Sequence, residues 1–291
     1  MPLTHLLLAL AVVFVWGTNF VVIKLGLAEL PPFLFATLRF TLSAFPFLLF
    51  VRRPAVPWRL LAAFGVLLGA GEFGLLFYAM RADISPGLAS LVIQTQVFFT
   101  IGLAMALRGE RVRPVQLLAL ALAVAGMVLI ALRTDGSVTA LGLVLVLLAA
   151  FCWGCANLVA KSAGKVDMLG FMVWSSLFAV PPLFALSWVF EGPGPMWHSV
   201  QQAGLLAWAA VAWQALGNTL FGYAAWNWLL SHHPAATVTP NALLVPVFGM
   251  AASAWWLSEP LPGWKLQAAG LVLAGLALNV LASRMTAART A

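Results

Sequence analysis

Charge is the scarcest commodity in this sequence. Asp, Glu, Lys and Arg make up only 8% of its residues, against about 25% in an ordinary soluble domain. Hydrophobic residues make up 63%, and the mean hydropathy is +1.02. A soluble fold has too little interior to hide that much apolar surface, so the chain belongs in a membrane. Acid is scarcer than base, with 8 carboxylates against 15 Lys and Arg and a net charge of +7. The excess base does not point to nucleic acid. It lies in short clusters between apolar runs, with no basic stripe and no zinc-finger spacing. Cysteine occurs twice, as Cys152 and Cys155 in "FCWGCANLVAK", at the spacing of a thioredoxin-type pair. Such pairs belong at accessible positions near a βαβ unit. These two stand inside an apolar run, so redox chemistry is not expected. No phosphate loop of the G-x-x-x-x-G-K-[ST] type is present, so the chain cannot use ATP by itself, and no ATPase subunit is evident. No H-E-x-x-H, metal-ligand spacing or activated serine occurs, so neither an enzyme nor a cofactor is expected. His232 and His233 are adjacent but lack further ligands, which is weak ground for a metal.

What the sequence does have is long apolar runs. A helix needs about 20 apolar residues to cross a bilayer. Charges, prolines and glycines punctuate the chain into ten candidate spans, near 3–26, 31–51, 58–81, 86–107, 113–131, 138–163, 168–189, 203–230, 234–257 and 263–284. The longest connection is the Gly- and Pro-rich stretch around "EGPGPMWHS". The first span lacks the basic start and small-residue cleavage pattern of a signal peptide, so it is expected to be retained. Placing the N-terminus in the cytoplasm puts Arg52, Arg53, Arg59, Arg108, Arg111, Arg113, Lys161, Lys165, Arg284 and Arg289 on that side. Only Arg81, Arg133 and Lys265 then face out, and ten against three sets the orientation, with both termini cytoplasmic. Trp58, Trp188, Trp197 and Trp264 fall at span ends, where amphipathic rings suit the headgroup region.

The chain also repeats itself. "FVWGTNFVVIK" at 14–24 parallels "FCWGCANLVAK" at 151–161: Trp16–Gly17 matches Trp153–Gly154, and Lys24 and Lys161 each follow the Trp by eight residues. Asn19 and Asn157 are nearby but offset by one position, and Pro46 and Pro182 follow at similar distances. "RGERV" parallels "LSEPL", and a Gly follows the Glu by sixteen residues in each copy, Glu110 to Gly126 and Glu259 to Gly275. The cysteines have Val15 and Thr18 as counterparts and are not shared. Residues 1–135 and 136–291 thus read as two five-span halves. Five is odd, so the second half enters the membrane inverted, an architecture of secondary transporters with a midplane site between the halves.

"FVWGTNFVVIKLGL", "LRFTLSAFPFLLF", "PGLASLVIQTQVFFTIGLAMALRGERV" and "LLVPVFGMAASAWWLSEPL" together resemble the EamA family of the drug/metabolite transporter superfamily, over nearly the whole chain. The resemblance is nearest to bacterial inner-membrane exporters of amino acids, of the O-acetylserine/cysteine and aromatic amino-acid types. It implies an all-α integral membrane protein of ten helices in two inverted five-helix repeats, a central cavity, and export of amino acids and related metabolites.

Polar groups within the spans are the candidates for the site, because they cost several kcal/mol in lipid unless paired or wet. Arg39 and Glu72 lie at similar depth on antiparallel neighbours and are expected to pair or share a network. Trp16 with Asn19, and Trp153 with Asn157, share helix faces and offer a flat apolar wall with a neutral amide; interhelical packing is the plainer use. Gln94 and Gln96 project about 200° apart on an α-helix. They can face one cavity only if the helix is broken there. Gly87 and Gly102 suggest close backbone approach. "TPNALLVPVFG" carries Pro240 and Pro246, which free backbone carbonyls and predict a broken helix with Asn241 at the break. Span eight adds Trp213, Asn218, Tyr223 and Asn227; Tyr78 and Trp174 are further aromatic candidates. Lys24 and Lys161, near span ends, are expected to snorkel to the interface.

The amides and aromatics, with one carboxylate and no buried cluster of Arg or Lys, suit a small zwitterion such as an amino acid better than a phosphate ester. The expectation is an inner-membrane exporter working as a monomer in the bilayer, by secondary transport or facilitated diffusion. The rival is an exporter of drugs or other metabolites with proton coupling through Glu72.

Overall fold

The structure, a computed structural model, describes residues 1–108, 114–133, 136–164, 166–233 and 238–290, without the side chains at 107, 108, 227, 231, 239, 240 and 282–290. Expectations resting on Glu110, Arg111, Arg113 and Lys165, and on the side chains of Arg108, Asn227, Pro240, Arg284 and Arg289, lie outside the described residues. The described chain is helical, without a strand. Its principal elements are α1 (Leu3–Gly26), α2 (Pro32–Leu49), α3 (Trp58–Ala82), α4 (Pro86–Ala106), α5 (Pro114–Ala131), α6 (Ala140–Ser162) and α7 (Met168–Phe190). A short helix, Pro193–Gln202, leads to α8 (205–232), α9 (Asn241–Trp256) and α10 (Gly263–Thr290). Among the described residues, eight helices are long and apolar enough to cross a membrane, α1 to α7 and α10 over Gly263–Leu281.

Helix ends leave backbone groups without intrahelical partners, and the few charges of the chain are spent there. Thr139 caps α6 through Gly142 N–H at 3.0 Å, and Asp167 caps α7 through Leu169 and Gly170 N–H at 3.1 and 3.0 Å. Elsewhere the cap comes from a distant segment. Glu191 accepts from Phe33 N–H at 2.6 Å and Leu34 N–H at 3.0 Å, at the start of α2. Glu29 accepts from Gly204 N–H at the start of α8. Glu259 accepts from Ser85 Oγ, from Gly87 N–H at 3.0 Å and from Ser253 Oγ, and pairs with Lys265 Nζ at 3.0 Å. Carboxylates at helix N-termini also meet the positive end of the helix dipole. Lys24 does the converse. Expected to snorkel to the interface, it finds specific partners at that end and donates to the Met80 and Arg81 carbonyls, both at 3.0 Å, at the C-terminal end of α3.

Packing follows the glycines of the repeated motifs. A Cβ on Gly17 would lie 2.5 Å from Phe248 Cβ and 2.7 Å from the Val245 carbonyl, so α1 crosses α9 backbone to backbone. A Cβ on Gly154 would lie 3.0 Å from Phe99 Cβ and 3.1 Å from Thr100 N, so α6 crosses α4 in the same way. Gly126 of α5 would meet Val272 at 2.7 Å, and Gly275 of α10 would meet the Ala119 carbonyl at 2.5 Å, so that pair closes reciprocally. Small residues at helix crossings serve where lipid offers no hydrophobic drive to associate. Gly102 departs from the expectation: nothing lies within 4 Å of its Cβ position. Gly87 is approached by the Glu259 carboxylate rather than by a backbone.

Further packing joins α1 to α8, α6 to α3, α2 to α7, α3 to α7 and α2 to α8. Three helices depart from α geometry near mid-length, and a fourth does so at its start. A π-helical stretch runs over Leu67–Gly74 in α3 and another over Trp213–Phe221 in α8. A 3-10 turn interrupts α4 at Ile93–Thr95, and another, Thr239–Leu243, opens α9 where Pro240 and Pro246 predict a break. Such irregular backbone at depth is tolerated where it lines a cavity.

Candidate functional site

The four irregular stretches surround one cavity of about 380 Å³, a size that holds a small organic molecule. Trp16, Asn19, Phe20 and Ile23 of α1 face it from one side, and Trp153 and Asn157 of α6 from the other. Helix α3 contributes Glu72, Phe73 and Leu76, and α8 contributes Asn218, Tyr223, Trp226 and Leu230. Gln94 and Gln96 of α4 both reach it. In the α-helix assumed from sequence they diverge by about 200°, but the 3-10 turn ending at Thr95 overwinds the chain between them and brings both inward. Met168, Ala242 and Val245 complete much of the remainder.

Exposure is graded along each helix. On α1, Trp16 is half-buried and Asn19, Phe20 and Ile23 are buried. On α8, Asn218 is buried and Tyr223, Trp226 and Leu230 are half-buried. His5 Nδ1 lies 2.7 Å from His233 Nε2, which places the end of α8 beside the start of α1. The more exposed part of the lining therefore lies toward the face that carries the N-terminus. The opposite face is closed by the Lys24, Glu191 and Glu259 contacts and by the paired connections at Ser85–Ser137 and Asp83–Thr139.

Its walls are of two kinds. Trp16 stands 5.6 Å from Tyr223 and 5.3 Å from Trp226, ring centre to ring centre, and donates from Nε1 to the Asn218 carbonyl at 3.1 Å. Gly222 makes room for it, since a Cβ there would strike the indole nitrogen. The closed end is polar. Gln214 Nε2 donates to Asn19 Oδ1 at 2.7 Å, and Arg39 Nη1 donates to Gln214 Oε1 at 2.9 Å. Arg39 also donates to Thr219 Oγ1, at 3.3 Å from Nε and 3.0 Å from Nη2, and its guanidinium carbon lies 3.5 Å from the Phe73 ring centre. Arg39 is fully buried, and its partners are neutral.

Of the pair or shared network expected of Arg39 and Glu72, the direct pair is not formed. The two charges are close enough to interact, but no ion pair joins them among the described residues. Glu72 is 2% exposed, and its Oε2 has no hydrogen-bond partner among the described residues. The two repeated asparagines also tie helices together. Asn19 is bonded to Gln214, and Asn157 Nδ2 donates to Gln96 Oε1 at 2.8 Å and Thr100 Oγ1 at 3.2 Å.

Four candidates, Tyr78, Trp174, Asn241 and Trp213, fall outside the cavity lining. Tyr78 stacks on Phe33 at 5.4 Å. Trp174 donates to the Val51 carbonyl at 3.0 Å and meets the edge of Trp58, stapling α7 to the α2–α3 connection. Asn241 donates to Val238 O at 2.9 Å within its own turn, and its neighbour Ala242 faces the cavity instead. Trp213, at 37% exposure, points outward. Gln214 and Thr219 were not foreseen. The π stretch moves the faces of α8 away from the 3.6-residue period, and Thr219 Oγ1 donates to the Gln214 carbonyl five residues back, at 2.9 Å.

Both cysteines are free thiols, and Cys152 fills the notch at Gly71, where a Cβ would lie 2.8 Å from its Cβ and Sγ. The purified protein is expected to melt at the same temperature with and without dithiothreitol. A shift on reduction would restore a disulfide role for this pair.

A family model described as "EamA-like transporter family" matches residues 3–132 and 140–281. The chain is 41% identical over 283 residues, 95% of each chain, to an Escherichia coli (strain K12) protein named "Probable amino-acid metabolite efflux pump". It is 40% identical over 284 residues, 96% of this chain and 95% of the other, to a Salmonella typhimurium (strain LT2) protein of the same name. A crystal structure at 20% identity superposes with a TM-score of 0.62, covering 98% of this chain and 99% of that one, which speaks to the fold alone.

Proposed function

Because the chain belongs to the EamA-like transporter family, a family of membrane transporters and not of enzymes, we propose that it exports amino acids and related small metabolites across the bacterial inner membrane. The observation that carries the reading is the cavity of about 380 Å³, lined by aromatics and amides, with its more exposed residues toward the face that carries the N-terminus. The Lys and Arg bias assigns that face to the cytoplasm. The described state is then the one that receives substrate from inside, and an alternating-access carrier releases it by closing that face and opening the other. The protein works as a monomer in the bilayer.

The machinery for this exchange is two inverted halves, 1–135 and 136–291, with ten membrane crossings. The two separate family matches support the division. So does the packing. Advancing each helix by one half turns the α1–α9 contact into α6–α4, α3–α6 into α8–α1 and α3–α7 into α8–α2, and each of these contacts is present. The irregular stretches obey the same exchange: π helix in α3 and α8, 3-10 turn in α4 and α9. Two halves of opposite orientation can rock about one central site and expose it to either side.

Reconstitution into liposomes with a panel of labelled amino acids, with and without a pH gradient, tests the reading. Saturable flux of at least one amino acid is expected; no flux of any would overturn it. The unpartnered Glu72 oxygen favours a second reading, a carrier of other metabolites or drugs coupled to protons through that carboxyl. Flux that requires the gradient and disappears in Glu72→Gln selects it.

A further inference from the structure

The described carboxylates divide sharply. Glu29, Asp167, Glu191 and Glu259 hold helix N-termini, and Asp83 accepts from Thr139 Oγ1 at 2.9 Å. Glu72 alone lines the cavity, and its Oε2 is buried without a donor. An acceptor in that condition costs free energy that a donor entering the cavity would recover. No neighbouring side chain fills the role. The Arg39 donors are turned to Gln214 and Thr219, and no ion pair reaches Glu72. Two further polar groups on the same cavity carry no hydrogen bond among the described residues, the Tyr223 hydroxyl and the Asn218 side-chain amide. Tyr223 lies close enough to feel both Glu72 and Arg39. At the polar end of the cavity a buried carboxyl oxygen thus lacks a donor, while the buried Arg39 guanidinium beside it donates to neutral oxygens.

We propose that Glu72 is the seat of the substrate's protonated amine, and that the Asn218 amide and Tyr223 hydroxyl, on the Arg39 side, receive its carboxylate. The inference rests on the exporter reading above and adds to it which chemical group selects the substrate. An ammonium brings up to three donors and a full charge to an oxygen that has neither, and charge-assisted hydrogen bonds of this kind are the strong ones. The side chain then lies along the Trp16, Tyr223 and Trp226 wall, which is apolar and tolerant of shape. Selectivity therefore falls on the free amine rather than on the side chain.

The test compares labelled L-alanine, L-cysteine and L-phenylalanine with the N-acetyl derivative of each, in liposomes at constant pH. N-acetylation removes the positive charge and keeps the carboxylate and side chain. The wild type is expected to carry the free amino acids about tenfold to a hundredfold faster, the ratio that one charged hydrogen bond supplies. In Glu72→Gln that ratio should collapse toward one, through loss of free amino-acid flux. Retention of both the rate and the ratio by Glu72→Gln overturns the assignment. Wild-type protein alone gives a second measure that needs no variant: unlabelled N-acetyl compound should compete far more weakly than free amino acid. Equal competition overturns the assignment while leaving the exporter intact. No flux of any probe by the wild type defeats the exporter reading, and this inference with it.

Discussion

Gly17→Leu is expected to prevent the protein from accumulating in folded form. The new Cβ would sit 2.5 Å from Phe248 Cβ and 2.7 Å from the Val245 carbonyl, and 3.1 Å from Gly249 N. Two of those three atoms are backbone, which cannot rotate away, so α1 and α9 must separate. Overpacking in a close-packed interior costs about 1–3 kcal/mol when side chains can adjust. Here backbone blocks the adjustment, and about 3 kcal/mol or more is expected. Gly102→Leu is the control. It is also a helical glycine, but nothing lies within 4 Å of its Cβ position, so it should leave stability unchanged or slightly raised. Size-exclusion profiles and melting temperatures in detergent separate the two. Equal behaviour of the two variants would show that the Trp-Gly motif does not mark a helix crossing.

Glu259→Gln carries the second large effect. The Glu259 carboxylate is shared by Lys265, Ser85, Ser253 and the Gly87 N–H, and it joins the start of α4 to the α9–α10 connection. Lys265 is fully buried, and removing the partner of a buried charge costs about 3–5 kcal/mol. Lys265→Met in the same chain should recover most of the loss, since no charge is then left unpaired. Failure of the second change to help would mean that the Lys265 charge is not what the carboxylate serves. The same site gives a pH dependence. Burial acts to raise the Glu259 carboxyl, but the hydrogen bonds from Ser253, Ser85, Gly87 and Lys265 outweigh it and hold the pKa below the usual carboxylate value. A carboxyl lowered on folding contributes stability that is complete above its unfolded value, about 4.3. That contribution is lost as pH falls through the lower folded value. Wild-type and Glu259→Gln melting temperatures should therefore differ by a constant amount at neutral pH and converge only in acid below about 4.

Much of the architecture was legible because membrane crossing is written in composition. Apolar length and Pro or Gly punctuation each act within a short stretch of chain, and eight of the ten predicted spans match helices long and apolar enough to cross a membrane, to within a few residues. The candidate cavity residues were legible for a related reason. A polar group inside an apolar run is conspicuous, and nine of the residues chosen on that ground, from Trp16 and Asn19 to Asn218 and Tyr223, face one cavity. Tyr78, Trp174 and Asn241 were misplaced because the same scarcity does not say which neighbour a polar atom will find. Each is satisfied by local backbone or by another ring.

The sequence by itself determined that the chain lives in a bilayer, that its helices number about what they do, and that Trp-Gly recurs at matching places in its two halves. Those properties belong to single segments or to their comparison, and no third dimension enters them. Only the tertiary structure decided what each charge does. Lys24, read from sequence as a span-end charge, and Glu191 close the ends of helices far along the chain, whereas Glu72 is left in the cavity with an oxygen that nothing among the described residues meets. The tertiary structure also decided that Gln94 and Gln96 share a cavity and that Gln214 and Thr219 hold Arg39, because 3-10 and π turns reset the helical faces on which sequence periodicity depends. Burial and hydrogen-bond partnership are properties of neighbours, and neighbours across a membrane bundle come from packing, not from order in the chain.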